Sequence, residues 1–190
     1  MNSSYIRLPS VLLLSIGIML SCNVFAKKSG PIPSPIYVIG GTGPGGGIIF
    51  HVSADGIHGL EAAREDQGER IKWFNGTDIV TMAVKSGLGD GSFNTDRIIT
   101  AQGNGNYAAL LCANYNGGGY GDWYLPSKDE LNLMYKNLHL KGLGSFFGDN
   151  YWSSTEIDNI NAWNEYFGDG IDDESSGKME SFSVRAVRAF

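Results

Sequence analysis

The stretch Gly121-Asp122-Trp123-Tyr124-Leu125-Pro126-Ser127-Lys128-Asp129-Glu130-Leu131 carries the strongest structural signal in the chain. Ser127 and Glu130 have the spacing of a capping box, in which serine hydroxyl and glutamate carboxylate each satisfy a free amide at a helix start. Leu131, Met134, Tyr135 and Leu138 follow at i, i+3, i+4 and i+7, and Gly142 supplies the stop. A helix is expected from Ser127 towards Gly142, with its one apolar face packed on a sheet or on another helix.

Upstream, Tyr107 to Tyr115 is rich in Ala and Leu, with Asn104 or Asn106 as its cap and Gly117-Gly118-Gly119 at its end, which predicts a short helix. Downstream, helical spacing is lost. Tyr151 to Thr155, Ala162 to Phe167 and Ser181 to Phe190 read as strands separated by turns of Asp, Asn and Gly. Towards the N-terminus, Ile36 to Ile39 and Ile48 to Val52 read as two more strands, flanking the glycine loop Gly40 to Gly47. Asp55 to Thr100 reads as loops and short strands. The sum is an α+β domain of two helices packed on antiparallel strands.

The glycine loop contains Gly41, Gly43 and Gly46 in the GxGxxG spacing of dinucleotide-binding folds. That use requires a helix to open at the last glycine so that its amides face a pyrophosphate. Here the β-branched run Ile48-Ile49 follows, and the Lys-Ser/Thr ending of a triphosphate loop is missing. The loop therefore reads as a structural turn.

Residues 1–26 place Arg7 before the apolar run Val11 to Leu20 and the small-residue pattern Val24-Phe25-Ala26, a cleaved secretory signal. The run is about ten residues, half of what spanning a bilayer takes. Lipidation at Cys22 is disfavoured because Met19 and Leu20 fit a lipoprotein cleavage box poorly. Residues 27–36, with Pro31, Pro33 and Pro35, form an extended spacer, and residues 37–190 form the domain. The expected location is secreted, periplasmic or cell-surface. Once the signal is removed, Cys112 is the one remaining cysteine, so no internal disulfide forms. The whole chain has a net charge of −6, and loss of Arg7 makes it −7, which argues against a nucleic-acid partner.

Four segments together resemble a known family: Gly121 to Leu131, Tyr151-Trp152-Ser153-Ser154-Thr155-Glu156, Ala162-Trp163 with Phe167, and Val184-Arg185-Ala186-Val187-Arg188. They are similar to the C-terminal domain of the Legionella collagen-like adhesin, and the loop Gly40 to Gly47 and the segment His58 to Ala63 extend the likeness over about residues 36–190. The resemblance implies a C-type-lectin-like fold related to the sulfatase-modifying factors, with N- and C-terminal strands close together. It also implies adherence and binding of sulfated glycosaminoglycans. Gly-X-Y collagen repeats are missing here, and the negative charge opposes sulfated polymers.

Motifs for chemistry are sparse. His51, His58 and His139 do not fall at metal-ligand spacing, and neither a His-Glu-x-x-His, a Cys-x-x-Cys nor a Gly-x-Ser-x-Gly occurs. Cys112 reads as a buried, inert thiol. Asp169, Asp172, Asp173 and Glu174 share one loop and are weak candidates for a Ca²⁺ site, without EF-hand spacing. Trp123 and Trp152 read as core, whereas Trp163, Asn164 and Tyr166, in a polar strand, are the candidate ligand-binding residues. Arg185 and Arg188 are expected on opposite strand faces, at least one of them paired with an internal carboxylate such as Glu130 or Glu156. The expected function is an exported, non-enzymatic, adhesin-like module binding a glycan or a surface protein, without a resident cofactor. The alternative is a structural or assembly surface protein, and an enzyme is the least favoured reading.

Overall fold

The capping box closes as the local sequence requires. In the computed structural model, which describes residues 36–168 and 174–190, Ser127 Oγ accepts the Glu130 amide and Glu130 Oε2 accepts the Ser127 amide. The helix runs Lys128–Asn137, a 3-10 turn His139–Lys141 follows, and Gly142 ends it with a left-handed φ of 68°. Ser127 is wholly buried, and its hydroxyl also faces the carbonyls of Ser86 and Gly87 at 2.9 and 2.8 Å. Ser127→Ala should therefore lower stability by about 1–2 kcal/mol, read from the urea midpoint, with the fold retained. An unchanged midpoint would refute this role for the cap.

In chain order the elements are β1 Ile48–Val52, β2 Gly59–Ala62, β3 Gly68–Lys72, α1 Asp90–Gln102, α2 Ala108–Ala113, α3 Lys128–Asn137, β4 Asn150–Glu156, β5 Asn161–Tyr166, β6 Glu174–Gly177, β7 Ser181–Val184 and β8 Val187–Ala189. They build an α+β domain with two sheets, ordered β1-β2-β8 and β3-β7-β4-β5-β6. One core lies around α1, α2 and the larger sheet, with Trp73, Ile98, Tyr107, Cys112, Trp123 and Trp152. A second surrounds α3, with Phe50, Leu131, Met134, Tyr151 and Phe167. Trp123 and Trp152 are core, as expected.

Several expectations are corrected. Ile36 to Ile39 forms no strand: Tyr37 donates its amide to Gly56 O, and regular pairing starts only after an isolated bridge between Thr42 and Ile48. A third α-helix, α1, lies where loops and short strands were expected. Its inner face is largely polar, with Asn94, Thr95 and Gln102 buried beside Ile98, so it lacks the apolar stripe that betrays α3. The short helix α2 is capped by Tyr107 without a side-chain bond, not by Asn104 or Asn106. The strands are not all antiparallel, because β4 pairs in parallel with β7 through Tyr151 and Ser183. The run Ser181 to Phe190 breaks at Arg185-Ala186 and serves both sheets. Chain ends of the domain do meet: β1 and β8 flank β2, and the Tyr37 ring contacts Phe190 edge-on at 4.6 Å.

Buried charges join these layers. The glycine loop wraps the carboxylate of Glu61 on β2, which accepts the amides of Gly45 and Gly47 at 2.8 and 2.9 Å. A Cβ at Gly43 or Gly45 would stand under 3 Å from Glu61, so the glycines serve close approach, with the amides turned onto an internal anion. Arg188 Nη1 neutralises Glu61 at 3.0 Å, and Arg188 Nε also donates to Asp122. Arg185 pairs with Asp66. Neither arginine pairs with Glu130 or Glu156: Glu130 accepts the Gly89 amide and the Tyr124 hydroxyl besides its cap bond, and Glu156 pairs with Lys178. Burial pushes the Glu130 carboxyl above the ordinary range, against the pull of those hydrogen bonds.

Candidate functional site

The β2–β3 connection crosses the Val184–Ala186 segment, where the chain passes from one sheet to the other. Two amide bonds fix the crossing, Ala63 to Ala186 O and Gln67 to Val184 O, each 2.8 Å. Arg185 projects from it into the space under the connection. Its Nε donates to Asp66, and its Nη1 faces the carbonyls of Ala63, Arg64 and Gly144 at 3.0, 3.1 and 2.9 Å. The Phe146 ring covers one face of the guanidinium, 4.2 Å from Cζ. Tyr151 OH donates to Asp66 Oδ2 at 2.9 Å and accepts the Phe147 amide at 3.1 Å. Burial and the nearby Asp66 charge push the Tyr151 phenol well above its usual value, so it stays a proton donor.

This network ties three segments into a rigid floor, above which opens a cavity of about 530 Å³ bordered by Glu65, Glu69, Ser145, Phe147 and Arg185. Hollows of about 540 and 480 Å³ adjoin it and share Arg64 and Glu65, forming one cleft system around that pair. Arg64 is itself engaged, donating to Gly46 O and Thr42 Oγ1 at 2.8 and 2.9 Å. Phe147 is 57% exposed, and Glu65 and Glu69 are exposed at the rim. Arg185 is only 2% exposed, yet among the described residues its Nη2 makes no hydrogen bond. Nη2 thus keeps its N–H donors on the little surface that Arg185 presents, beside the cavity it borders.

The residues expected from sequence to bind a ligand do not form one surface. The pleat of β5 sends Trp163 and Glu165 to one face and Asn164 and Tyr166 to the other. Trp163 is half-buried, and the Lys128 ammonium sits 3.9 Å over its ring, covering one of its two faces. Beneath lies a space of about 10 Å³, room for roughly one water. Asn164 is buried and donates to Ser176 Oγ at 2.6 Å, while Tyr166 is half-buried. Asp169, Asp172 and Asp173 lie outside the described residues, and Glu174 opens β6. The signal segment with Cys22 and nearly all of the proline spacer also lie outside them.

Among the described residues, no three His, Cys, Asp or Glu side chains are placed to hold a metal ion, and no helix is long and apolar enough to cross a membrane. Cys112 is fully buried in α2, and burial with the Asp66 charge pushes its thiol up, away from the reactive thiolate. The Arg185 cleft was missed in the sequence because its parts come from three separate segments. The one available sign was Arg185 itself, a charge inside an apolar C-terminal run.

The chain matches no protein-family profile and no curated protein sequence. Among solved structures it is similar to a fimbrial protein from Bacteroides ovatus, with a TM-score of 0.47 and 14% sequence identity, over 69% of this chain and 35% of that one. The chain thus spans about a third of that protein's length.

Proposed function

We propose that the chain is an exported, non-enzymatic recognition module of C-type-lectin-like fold, adhesin-like in role, which takes a neutral glycan in the Arg185 cleft. The observation that carries this reading is the pairing of an unused guanidinium edge, on a side chain otherwise buried, with an exposed aromatic ring beside one cavity of about 530 Å³. That volume lies within the range of small-ligand sites. A sugar hydroxyl both accepts and donates, so it can take an N–H from Arg185 and give its own proton to Glu65 or Glu69. Phe147 offers an apolar face for the sugar ring. Three carboxylates, Glu65, Asp66 and Glu69, outnumber Arg64 and Arg185, which opposes sulfated or uronic chains.

The test is a glycan array on the mature protein. Binding to neutral glycans should be lost in Phe147→Ala and weakened at least tenfold in Glu65→Gln, with the unfolding midpoint unchanged in both. Binding that survives both substitutions, or an array without a neutral-glycan signal, would sink the assignment.

Charge arithmetic also sets an expectation for sulfated polymers. The basic cluster suggested by the sequence is Lys128, Lys136 and Lys141. Lys128 lies over Trp163, and Lys136 donates to Asn132 Oδ1 at 2.5 Å, so both are already engaged locally. The mature protein should elute from heparin at or below physiological salt. Elution at substantially higher salt, abolished by Lys136→Ala with Lys141→Ala, would refute this and favour a sulfated ligand.

A further inference from the structure

The β1–β2 hairpin assembles a pair of imidazoles that their spacing in sequence conceals. A register shift between Ile49 and His51 sets His51 opposite Leu60 and Val52 opposite Gly59. The Ser53 amide then bonds His58 O at 2.8 Å, which continues the same register to the hairpin end. Side chains two apart along a strand share a face, so His51, Ser53, His58 and Leu60 stand on one side of the hairpin. His51 and His58 are diagonal neighbours there, and such neighbours stand roughly 7–8 Å apart, a gap that long side chains and rings bridge. All four border one open hollow of about 250 Å³, which Leu88 and Phe190 also line.

We propose that this face binds a divalent transition-metal ion through the Nε2 atoms of His51 and His58, with water in the remaining coordination positions. The support is chemical as well as positional. Asp55 accepts the amides of Ile57 and His58 at 3.0 and 3.2 Å and bonds His58 Nδ1 at 2.5 Å. The Asp55 carboxylate engages Nδ1, which leaves Nε2 as the ring nitrogen open to a metal ion. A carboxylate behind a histidine in this way is the arrangement that orients metal-binding imidazoles and raises their basicity. Two neutral nitrogen donors favour Cu²⁺, Ni²⁺ and Zn²⁺ over Ca²⁺ and Mg²⁺, with Cu²⁺ held tightest. The site is independent of the Arg185 cleft, and either assignment stands if the other fails.

The experiment is calorimetric titration of the mature, untagged protein with Zn²⁺, paired with electron paramagnetic resonance of its Cu²⁺ form. One ion per chain is expected, with two nitrogen donors in the Cu²⁺ spectrum and no heat from Ca²⁺. His51→Ala and His58→Ala should each weaken Zn²⁺ at least tenfold. Asp55→Asn, which removes no ligand, should weaken it 10- to 100-fold. His139→Ala should leave it unchanged, since His139 stacks on Tyr135 and packs against Phe167 elsewhere. Failure to bind Zn²⁺ and Cu²⁺, or binding indifferent to His51→Ala and His58→Ala, overturns the site. An unaltered affinity in Asp55→Asn overturns the role given to Asp55.

Discussion

Lys178→Met should destabilise the protein by about 3–5 kcal/mol, the range for removing one partner of a buried ion pair. Lys178 Nζ lies 2.6 Å from Glu156 Oε1, with the two side chains 0% and 1% exposed. Its ammonium also sits 4.4 Å over the Trp73 ring and 3.4 Å from Ile79 O. Methionine fills a similar volume but carries no charge, so Glu156 would remain an anion without a counter-ion. The Thr81 and Met82 amides would still bond that carboxylate at 2.9 Å, which keeps the cost finite. Glu156 also anchors the irregular segment 77–86, its own amide donating to Ala83 O, so that segment should show the first loss of hydrogen-exchange protection. Pairing Lys178→Met with Glu156→Gln should recover part of the loss, because neither charge is then left alone. A deficit under about 1 kcal/mol in the single variant would mean that the pair is hydrated, against its burial.

Trp152→Ala is expected to cost about 3–5 kcal/mol. The ring is wholly buried in the centre of the larger sheet, its centroid 4.4 Å from that of Phe182, and Nε1 donates to Ile71 O at 2.8 Å. Alanine there would leave a cavity and remove the hydrogen bond to Ile71 O. Trp152→Phe retains most of the ring and loses the N–H, so about 1–2 kcal/mol is expected for it. A domain with total stability of about 5–15 kcal/mol would survive the second substitution and come close to unfolding with the first. Guanidinium unfolding followed by circular dichroism gives both values. Equal losses in the two variants would mean that the hydrogen bond, not packing, dominates at this position.

The comparison of α3 with α1 explains why one helix was legible and the other was not. Ser127, Glu130 and the stripe Leu131, Met134, Tyr135 and Leu138 are local signals, each interpretable within one or two turns. In α1 the inward side chains are satisfied by remote partners: Asn94 bonds both Lys85 N and Lys85 O, Thr95 bonds Leu125, and Gln102 accepts the Asn75 amide. A polar face buried by long-range hydrogen bonds looks, in sequence, like a solvated one. The candidate site shows the same division. The glycine loop was recognisable as a turn, but its partner Glu61 lies 14 residues or more away and appears only when β1 and β2 pair. Trp163 was singled out because its strand is polar, although Lys128 of another element covers it.

Residue order alone therefore settled the α+β class, the Ser127 cap, the core placement of Trp123 and Trp152, and the strands after Tyr151, because each depends on spacing within a turn or on alternation along a strand. Tertiary structure decided the partners of Arg185, Arg188 and Lys178, the parallel pairing of β4 with β7, and the split of Ser181 to Phe190 between two sheets. It also decided that His51 and His58 share a face. The carboxylate partners of these three cations lie 22 to 127 positions away, and the shared face turns on one residue of register in a hairpin. A single shift of register exchanges the faces of a strand, and burial selects which charges must meet. Neither is a property of any short segment, and so neither can be read before the chain has folded.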